Sequence, residues 1–404
     1  MQKMTLNGES INGSQEGSLV IEQFLSENYL FRRNILNDKV EFVDLRVKTA
    51  DGQPVWKALT EQETLSIVIR AKREHIMDDG SPKTEIMEYV KSAEVPIYNP
   101  IAEFLNNLPE WDGQNHVAKL LNRIPGLSTE MHNYMAIWLR ATVAHWLQMD
   151  MLHGNECAPT IVGEQGCGKT TWVRRLLPPF LRCYYLDHLN LANKFDRDMA
   201  LWGNLLVNLD EMDSYSKRQH TALKQILSLN KVNARQAYGR TQQDRPRFAS
   251  FVATTNNPHP LSDVTGSRRF LCFTIPEGKF IDNDGEIDYE QLYAQIVYEL
   301  RVLNEPYWFS NADVARIQEL NLEYMDQKDI AEILSVCIRK PKEGEIAKKM
   351  SSTELLNLIR KEYPSVPNTQ SSKVCLGTAL RKMGYDHKNH NNLSVYEVVP
   401  IKAA

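Results

Sequence analysis

Residues 163 to 170 read Gly163-Glu164-Gln165-Gly166-Cys167-Gly168-Lys169-Thr170, with Thr171 following. The spacing G-x-x-x-x-G-K-[ST] suits one kind of chemistry, the cradling of phosphate. Glycines let successive backbone N–H groups curl around a phosphate, and the helix that follows adds the favourable end of its dipole. A lysine at 169 reaches the β- and γ-phosphates, and the Thr170 hydroxyl ligates Mg²⁺. ATP with Mg²⁺ is therefore the expected ligand of Gly163, Glu164, Gln165, Gly166, Cys167, Gly168, Lys169, Thr170 and Thr171. Two further clusters suit the same chemistry. Leu205 to Leu209 is an apolar run ending in Asp210-Glu211. On a strand beside the phosphate loop, Asp210 would join the Mg²⁺ shell and Glu211 would activate the attacking water. Phe251-Val252-Ala253-Thr254-Thr255-Asn256 is another apolar run with a polar end, from which Asn256 would hold the γ-phosphate or the water.

Two clusters belong to partners rather than to phosphate. Arg268 and Arg269 stand just before an apolar strand. In a ring of subunits one of them would reach a neighbour's γ-phosphate as an arginine finger. From Lys217 to Arg247 the chain carries eight bases against a single acid, Asp244, although the whole protein has a net charge of −4. Within that segment Lys224, Arg235, Tyr238 and Arg240 are the expected DNA contacts. Tyr238-Gly239-Arg240 suits a hairpin tip that stacks on bases and pairs with phosphates of a single strand.

The elements that must position these groups alternate as strand and helix from Cys157 to Ile275, the pattern of a parallel sheet with crossovers. The expected strands are Pro159–Val162, Leu205–Leu209, Arg247–Thr254 and Phe270–Thr274, with a helix after the phosphate loop that Pro178-Pro179 stops. The first hundred residues mix a short helix (Ile21 to Glu27), strands at Tyr29–Asn34 and Lys39–Lys48, and a helix from Thr60 to Lys72. Residues 99–150 read as helical, with an amphipathic run from Tyr134 to Met149 whose aromatics and His145 suit a core. The acidic stretch from Glu277 to Glu290 reads as a solvated loop without chemistry. Helices follow from Tyr289 to Leu303 and from Asn311 to Ile338, and Arg339-Lys340-Pro341-Lys342 reads as a linker. Beyond it, Ser351-Ser352-Thr353-Glu354 has capping-box spacing, a second helix runs from Ser371 to Met383, and Tyr385 to Val399 is extended. That order suits a winged helix-turn-helix that contacts duplex DNA. The expected domains are therefore 1–98 (small α+β), 99–150 (helical collar), 151–310 (α/β core), 311–345 (helical connector) and 346–404 (winged-helix-like).

Composition narrows the class. Hydrophobic residues make up 42% and charged residues 24% of 404, ordinary for a water-soluble fold. No apolar run has the length of a membrane span, and the polar start, Met1 to Ser18, lacks the apolar core of a secretion signal. The six cysteines are scattered without C-x-x-C spacing, which argues against metal and disulfide frameworks. Cys167 inside the phosphate loop favours a reducing compartment. The expectation is a cytoplasmic enzyme.

Taken in order, these motifs resemble the virulence-associated protein E family, a branch of superfamily 3 helicases found in phages, plasmids and mobile elements. The likeness runs from Asn99-Pro100 and Trp111-Asp112-Gly113 through the phosphate loop, Phe195-Asp196-Arg197-Asp198 and Leu209-Asp210-Glu211. It continues through Tyr238-Gly239-Arg240 and Ala253-Thr254-Thr255-Asn256 to Thr265-Gly266-Ser267-Arg268-Arg269-Phe270. The resemblance implies an AAA+-type P-loop core that assembles as a homo-oligomer, a hexamer, with ATP at subunit interfaces and single-stranded DNA in a central pore. It implies roles for Lys169, Thr170 and Asp210 at the phosphates and Mg²⁺, for Glu211 as base and for Asn256 as sensor. Arg268 or Arg269 would be the finger, and Tyr238 and Arg240 the pore hairpin. Many relatives carry a primase domain; the first hundred residues here are short and show no obvious paired-acid metal motif. Two functions fit: a DNA helicase for replication of a mobile element, or an ATP-switched DNA-binding initiator or regulatory or defence ATPase that unwinds nothing.

Overall fold

A computed structural model describes residues 5–6, 9–10, 13–47, 54–77, 80–149, 155–212, 215, 217–235, 242–261, 266–325, 333–342, 344–363, 366, 368, 370–385, 387–390 and 393–401. The chain divides into two compact units, Met1–Phe104 and Leu105–Ala404. No helix among the described residues is long and apolar enough to cross a membrane.

In the first unit the strands Lys57–Ala58, Val40–Asp44, Tyr29–Asn34 and Ile97–Tyr98 form one sheet in that order. Alternation along Tyr29–Asn34 sends Tyr29 and Phe31 into a core with Phe24, Phe42, Ile67 and Ile86. That core also takes the helices Gly13–Asn28, Glu61–Arg73 and Pro82–Lys91. The last of these helices and the strand Ile97–Tyr98 have no counterpart in the sequence reading.

The second unit is built on a parallel sheet. Its strands are β1 (Ala158–Val162), β2 (Tyr185–Leu186), β3 (Leu206–Asp210), β4 (Ser250–Thr255) and β5 (Phe270–Thr274). They lie in the order β5-β1-β4-β3-β2, and every pairing is parallel. Both faces are covered, which is why β1 and β4 are buried along their whole length and read as continuous apolar runs. On one side the helices Thr129–Trp146 and Tyr289–Arg301 meet through Trp146 and Tyr293, whose rings are 5.8 Å apart. Trp138 and Trp146 donate their indole N–H groups to the carbonyls of Cys157 and Leu205, tying that helix to the sheet.

The strand order is one that the sequence did not specify. The strand ending in Asp210 is not beside β1, because the fully buried β4 takes the inner place and leaves β3 one position further out. From β1 the chain crosses to the far edge, works back through β3 and β4, then passes to the other side of β1. The reversal opens a crevice at the carboxyl ends of the central strands, where ligands of such sheets bind. The two-residue β2 was too short to read.

Two later elements also differ from the sequence reading. The helix expected from Asn311 to Ile338 stops as Asn311–Leu320 and tightens into a 3₁₀ turn, Asn321–Tyr324. Buried Asn321 donates its amide to the carbonyls of Ser267 and Phe270, at 2.7 Å each, and so turns the chain onto β5. The expected linker begins as a strand, Ile338–Arg339, paired with Val399–Pro400. The helices Ser352–Glu362 and Gln370–Lys382 then pack with the strands Lys348–Ser351, His387–His390 and Leu393–Pro400 around Leu355, Ile359, Leu380 and Val398. The first helix carries the expected capping box, Ser351 with Glu354.

Candidate functional site

The loop Gly163–Gly168 leaves the carboxyl end of β1 and feeds the helix Lys169–Arg174. Two of its glycines, Gly166 at φ +83° and Gly168 at φ +92°, hold left-handed backbone that a side chain would strain. Gly163 is pinned to the sheet by donating its N–H to the Thr255 carbonyl at 3.2 Å. The Lys169 ammonium is buried and donates to the carbonyls of Gly163 and Glu164, both at 2.8 Å, and to Asn256 Oδ1 at 2.9 Å. The lysine thus bridges the loop after β1 to the residue that ends β4.

Gln165, Gly166, Gly168, Lys169, Thr170, Thr171, Asp210, Glu211, Thr255 and Asn256 line one cleft of about 310 Å³. Its walls come from the carboxyl ends of β1, β4 and β3. Asp210 takes a hydrogen bond from the Thr254 hydroxyl, which is itself linked to Asn208 across β3 and β4. Thr254 was not among the residues expected to serve the site; a polar side chain amid an apolar strand was the signal. Burial first, then the Asp210 carboxylate, pushes the buried Tyr215 phenol up to about 12; the half-buried Tyr185 phenol is raised by burial first, then by Asp187, with Asp210 adding less. Glu211 is exposed and sits at φ +49°, a conformation that costs a residue with a side chain on the order of 1–2 kcal/mol. A hydroxyl and a carboxylate, Thr170 and Asp210, face the same cleft and supply the hard oxygen donors that Mg²⁺ takes.

Arg268 and Arg269 lie elsewhere. They occupy the 3₁₀ turn Ser267–Arg269 before β5, at the amino end of the sheet. With Asn155, Glu156, Cys157, Tyr307, Trp308 and Phe309 they line a second cleft of about 200 Å³. Five residues of β1 separate it from the phosphate loop, roughly 16 Å of strand. Arg268 is exposed, and Arg269 donates to Ser228 Oγ at 3.1 Å.

The basic segment is divided among different tasks. The helix Lys217–Leu227 carries half-buried Lys224. The strands Lys231–Arg235 and Gln242–Pro246 pair antiparallel, Arg235 opposite Gln242. Tyr238 and Arg240 fall between those strands and lie outside the described residues. Arg247, counted with the surface bases by sequence, is fully buried. Its guanidinium donates to the carbonyls of Ile226, Leu227, Leu229, Ala249 and Asn155, capping the carboxyl end of the preceding helix. Burial brings its pKa down to about 9. Arg245 stacks on Trp202 at 3.8 Å, and Lys231 pairs with Asp244 at 2.7 Å.

The acidic loop after β5 is not merely solvated. Ile281 donates its N–H to the Cys167 carbonyl, and the Asn283 amide donates to the Gly168 carbonyl, both at 2.9 Å. No motif in the sequence pointed to that contact.

Residues 105–326 match the model of the virulence-associated protein E-like domain, more than half of the chain. No curated protein matches it. Among solved structures it is similar to the C-terminal region of NrS-1. One such structure has 13% identity and a TM-score of 0.42, covering 94% of this chain and 98% of that one. Another has 13% identity and a TM-score of 0.43, covering 95% and 99%.

Proposed function

This chain belongs to the virulence-associated protein E-like family, and on that premise we propose that it is an ATP hydrolase that drives movement along DNA. The setting is replication of a phage or other mobile element. The observation that carries the proposal is the convergence of Lys169, Thr170, Asp210, Glu211 and Asn256 on one cleft, from loops after three different strands. Each residue then has a task its chemistry suits. Lys169 neutralises the β- and γ-phosphates, and the amides of the Gly-rich loop bind their oxygens. Thr170 and Asp210 hold Mg²⁺, which offsets charge on the phosphates when bound. Glu211 takes the proton of the attacking water, and Asn256, already bonded to Lys169, orients that water or the γ-phosphate.

The position of the arginines supports assembly. Arg268 and Arg269 sit at the opposite end of β1 from the cleft, too far to serve it within one chain. Head-to-tail packing in a ring brings the amino end of one sheet against the carboxyl end of the next. The finger then acts in trans in a homo-oligomer, a hexamer by the family resemblance. The paired strands Lys231–Arg235 and Gln242–Pro246 support a hairpin whose connection, Tyr238 and Arg240 included, tracks single-stranded DNA with Arg235 and Lys224. The order of the C-terminal elements, strand, helix, helix and two strands, supports a winged helix that would take duplex DNA.

Strand displacement on a forked DNA tests the proposal. The wild-type chain should unwind the fork with ATP, and Glu211→Gln should not. ATP-dependent DNA binding without displacement would instead make the chain an ATP-switched initiator or regulatory factor.

A further inference from the structure

We propose that the acidic loop after β5 positions the phosphate loop, and that Asn283 is the positioning residue. The inference rests on the nucleotide reading of the cleft and extends it to a segment with no motif of its own.

In a trans peptide the C=O and N–H point in opposite directions. The Cys167 carbonyl accepts the Ile281 N–H at 2.9 Å, so the N–H of Gly168, the other half of that peptide, is turned the opposite way. The Gly168 carbonyl accepts the Asn283 amide at 2.9 Å as well as the first helical bond from Trp172 at 3.0 Å, which turns the Lys169 N–H likewise. Gly168 and Lys169 line the cleft, whereas Ile281 and Asn283 do not. The loop therefore grips two successive peptides from the outer side and leaves their N–H groups for phosphate oxygens.

Gly168 is what lets the amide in. A Cβ there would come within 2.5 Å of the Asn283 nitrogen. The small residue thus serves both the φ of +92° and the approach of Asn283. The amide is oriented by two carbonyls, Gly168 O and Ile281 O, which both call for a donor. The loop is itself held at several points. Arg123 donates to the carbonyls of Asp284 and Glu286 and accepts the Asp282 N–H, and Arg175 donates to the Gly285 carbonyl. Its acids leave these backbone carbonyls to do the holding. Arg175 follows the helix Lys169–Arg174, so the grip extends along the whole phosphate-binding element.

The test uses the full chain as wild type, Asn283→Asp, Asn283→Ala and Lys169→Ala. Fluorescent ADP affinity, ATPase KM and kcat, and the thermal midpoint are measured for each. Asn283→Asp keeps the shape but turns a donor into an anion facing two carbonyls. Its ADP affinity should fall by about tenfold or more, the scale of one lost hydrogen bond with an anion left facing two carbonyls. Asn283→Ala, which only removes the donor, should lose less. In both, KM should rise while kcat at saturation stays within about twofold, because β-phosphate binding is common to ground and transition states. A purely structural role would instead lower the thermal midpoint and leave nucleotide affinity in the folded fraction unchanged, and that result would overturn the proposal. Wild-type affinity in Asn283→Ala would overturn it even if Asn283→Asp fails to fold. If wild type binds no ADP, or no better than Lys169→Ala, the nucleotide reading itself fails and this inference falls with it.

Discussion

The two ends of the parallel sheet are built differently. At the carboxyl end, chemistry-bearing side chains are already tied to each other and to backbone: Lys169 to Asn256 and two carbonyls, Asp210 to Thr254. At the amino end, Arg268 is exposed beside a cleft with aromatic walls, and the buried Arg247, bonded to Asn155 of that cleft, spends its donors on five backbone carbonyls. The carboxyl-end side chains are held in place by one another, whereas at the amino end Arg268 stands exposed. That difference is what the proposed site, shared between neighbouring subunits, would require.

Removing both arginines attacks the outward-facing end. Arg268→Ala with Arg269→Ala should lower ATP turnover by about 10³-fold or more, the scale of an arginine finger. ATP binding by the carboxyl-end cleft should persist. Turnover within a few-fold of wild type would reduce the pair to local neutralisers and break the comparison at that end.

Two substitutions sharpen the other end. Glu211→Gln should cost about 10²–10⁴ in turnover, the worth of a general base, while ATP still binds. Lys169→Ala should lose binding as well, because the phosphate charge loses its main partner. Equal binding titrations for the two variants would remove the distinction between the cradle and the base.

The hairpin lies between these extremes. Tyr238→Ala with Arg240→Ala should weaken single-stranded DNA by about 1–3 kcal/mol for the lost stacking. The salt dependence should flatten by about one phosphate contact. Basal ATPase should be largely kept. Unchanged affinity and slope would move the DNA contact to the C-terminal strands and helices.

A last effect is on acid stability rather than on activity or binding. His145 is buried, with burial first and then Arg247 holding its pKa down to about 3, and its Nε2 has no hydrogen-bond partner. The unfolded chain takes up this proton near pH 6.5 and the folded chain does not. The stability that neutral His145 preserves is therefore present above pH 6.5 and lost as pH falls toward 3, by at most about 1.4 kcal/mol per pH unit. His145→Phe should flatten the stability profile over that window in urea titrations. An identical pH slope in the two chains would contradict the burial argument.

The sequence was most legible where chemistry is local. The glycine-rich loop, Asp210-Glu211 and Asn256, which the fold brings to one cleft, stand out because each follows an apolar strand. The capping box at Ser351 was readable for the same reason. Strand order was not: only burial decides that β4 lies inside β3, and burial is set by what covers each strand. Arg247 reads as one more surface base until five carbonyls are found around it. Asn321 ends a helix whose periodicity runs on, because its amide is needed by Ser267 and Phe270. The loop holding Asn283 looked like solvated acid since its contacts are made through backbone groups, which carry no sequence signature.

The shared site is tested most directly by mixing inactive protomers. Arg268→Ala with Arg269→Ala chains carry an intact cleft, and Glu211→Gln chains carry intact arginines. In mixed oligomers, verified by tagged co-purification, an intact cleft meets intact arginines at some interfaces, and ATPase should reappear above either parent alone. Verified mixed oligomers that stay as inactive as their parents would contradict a site completed by the neighbour.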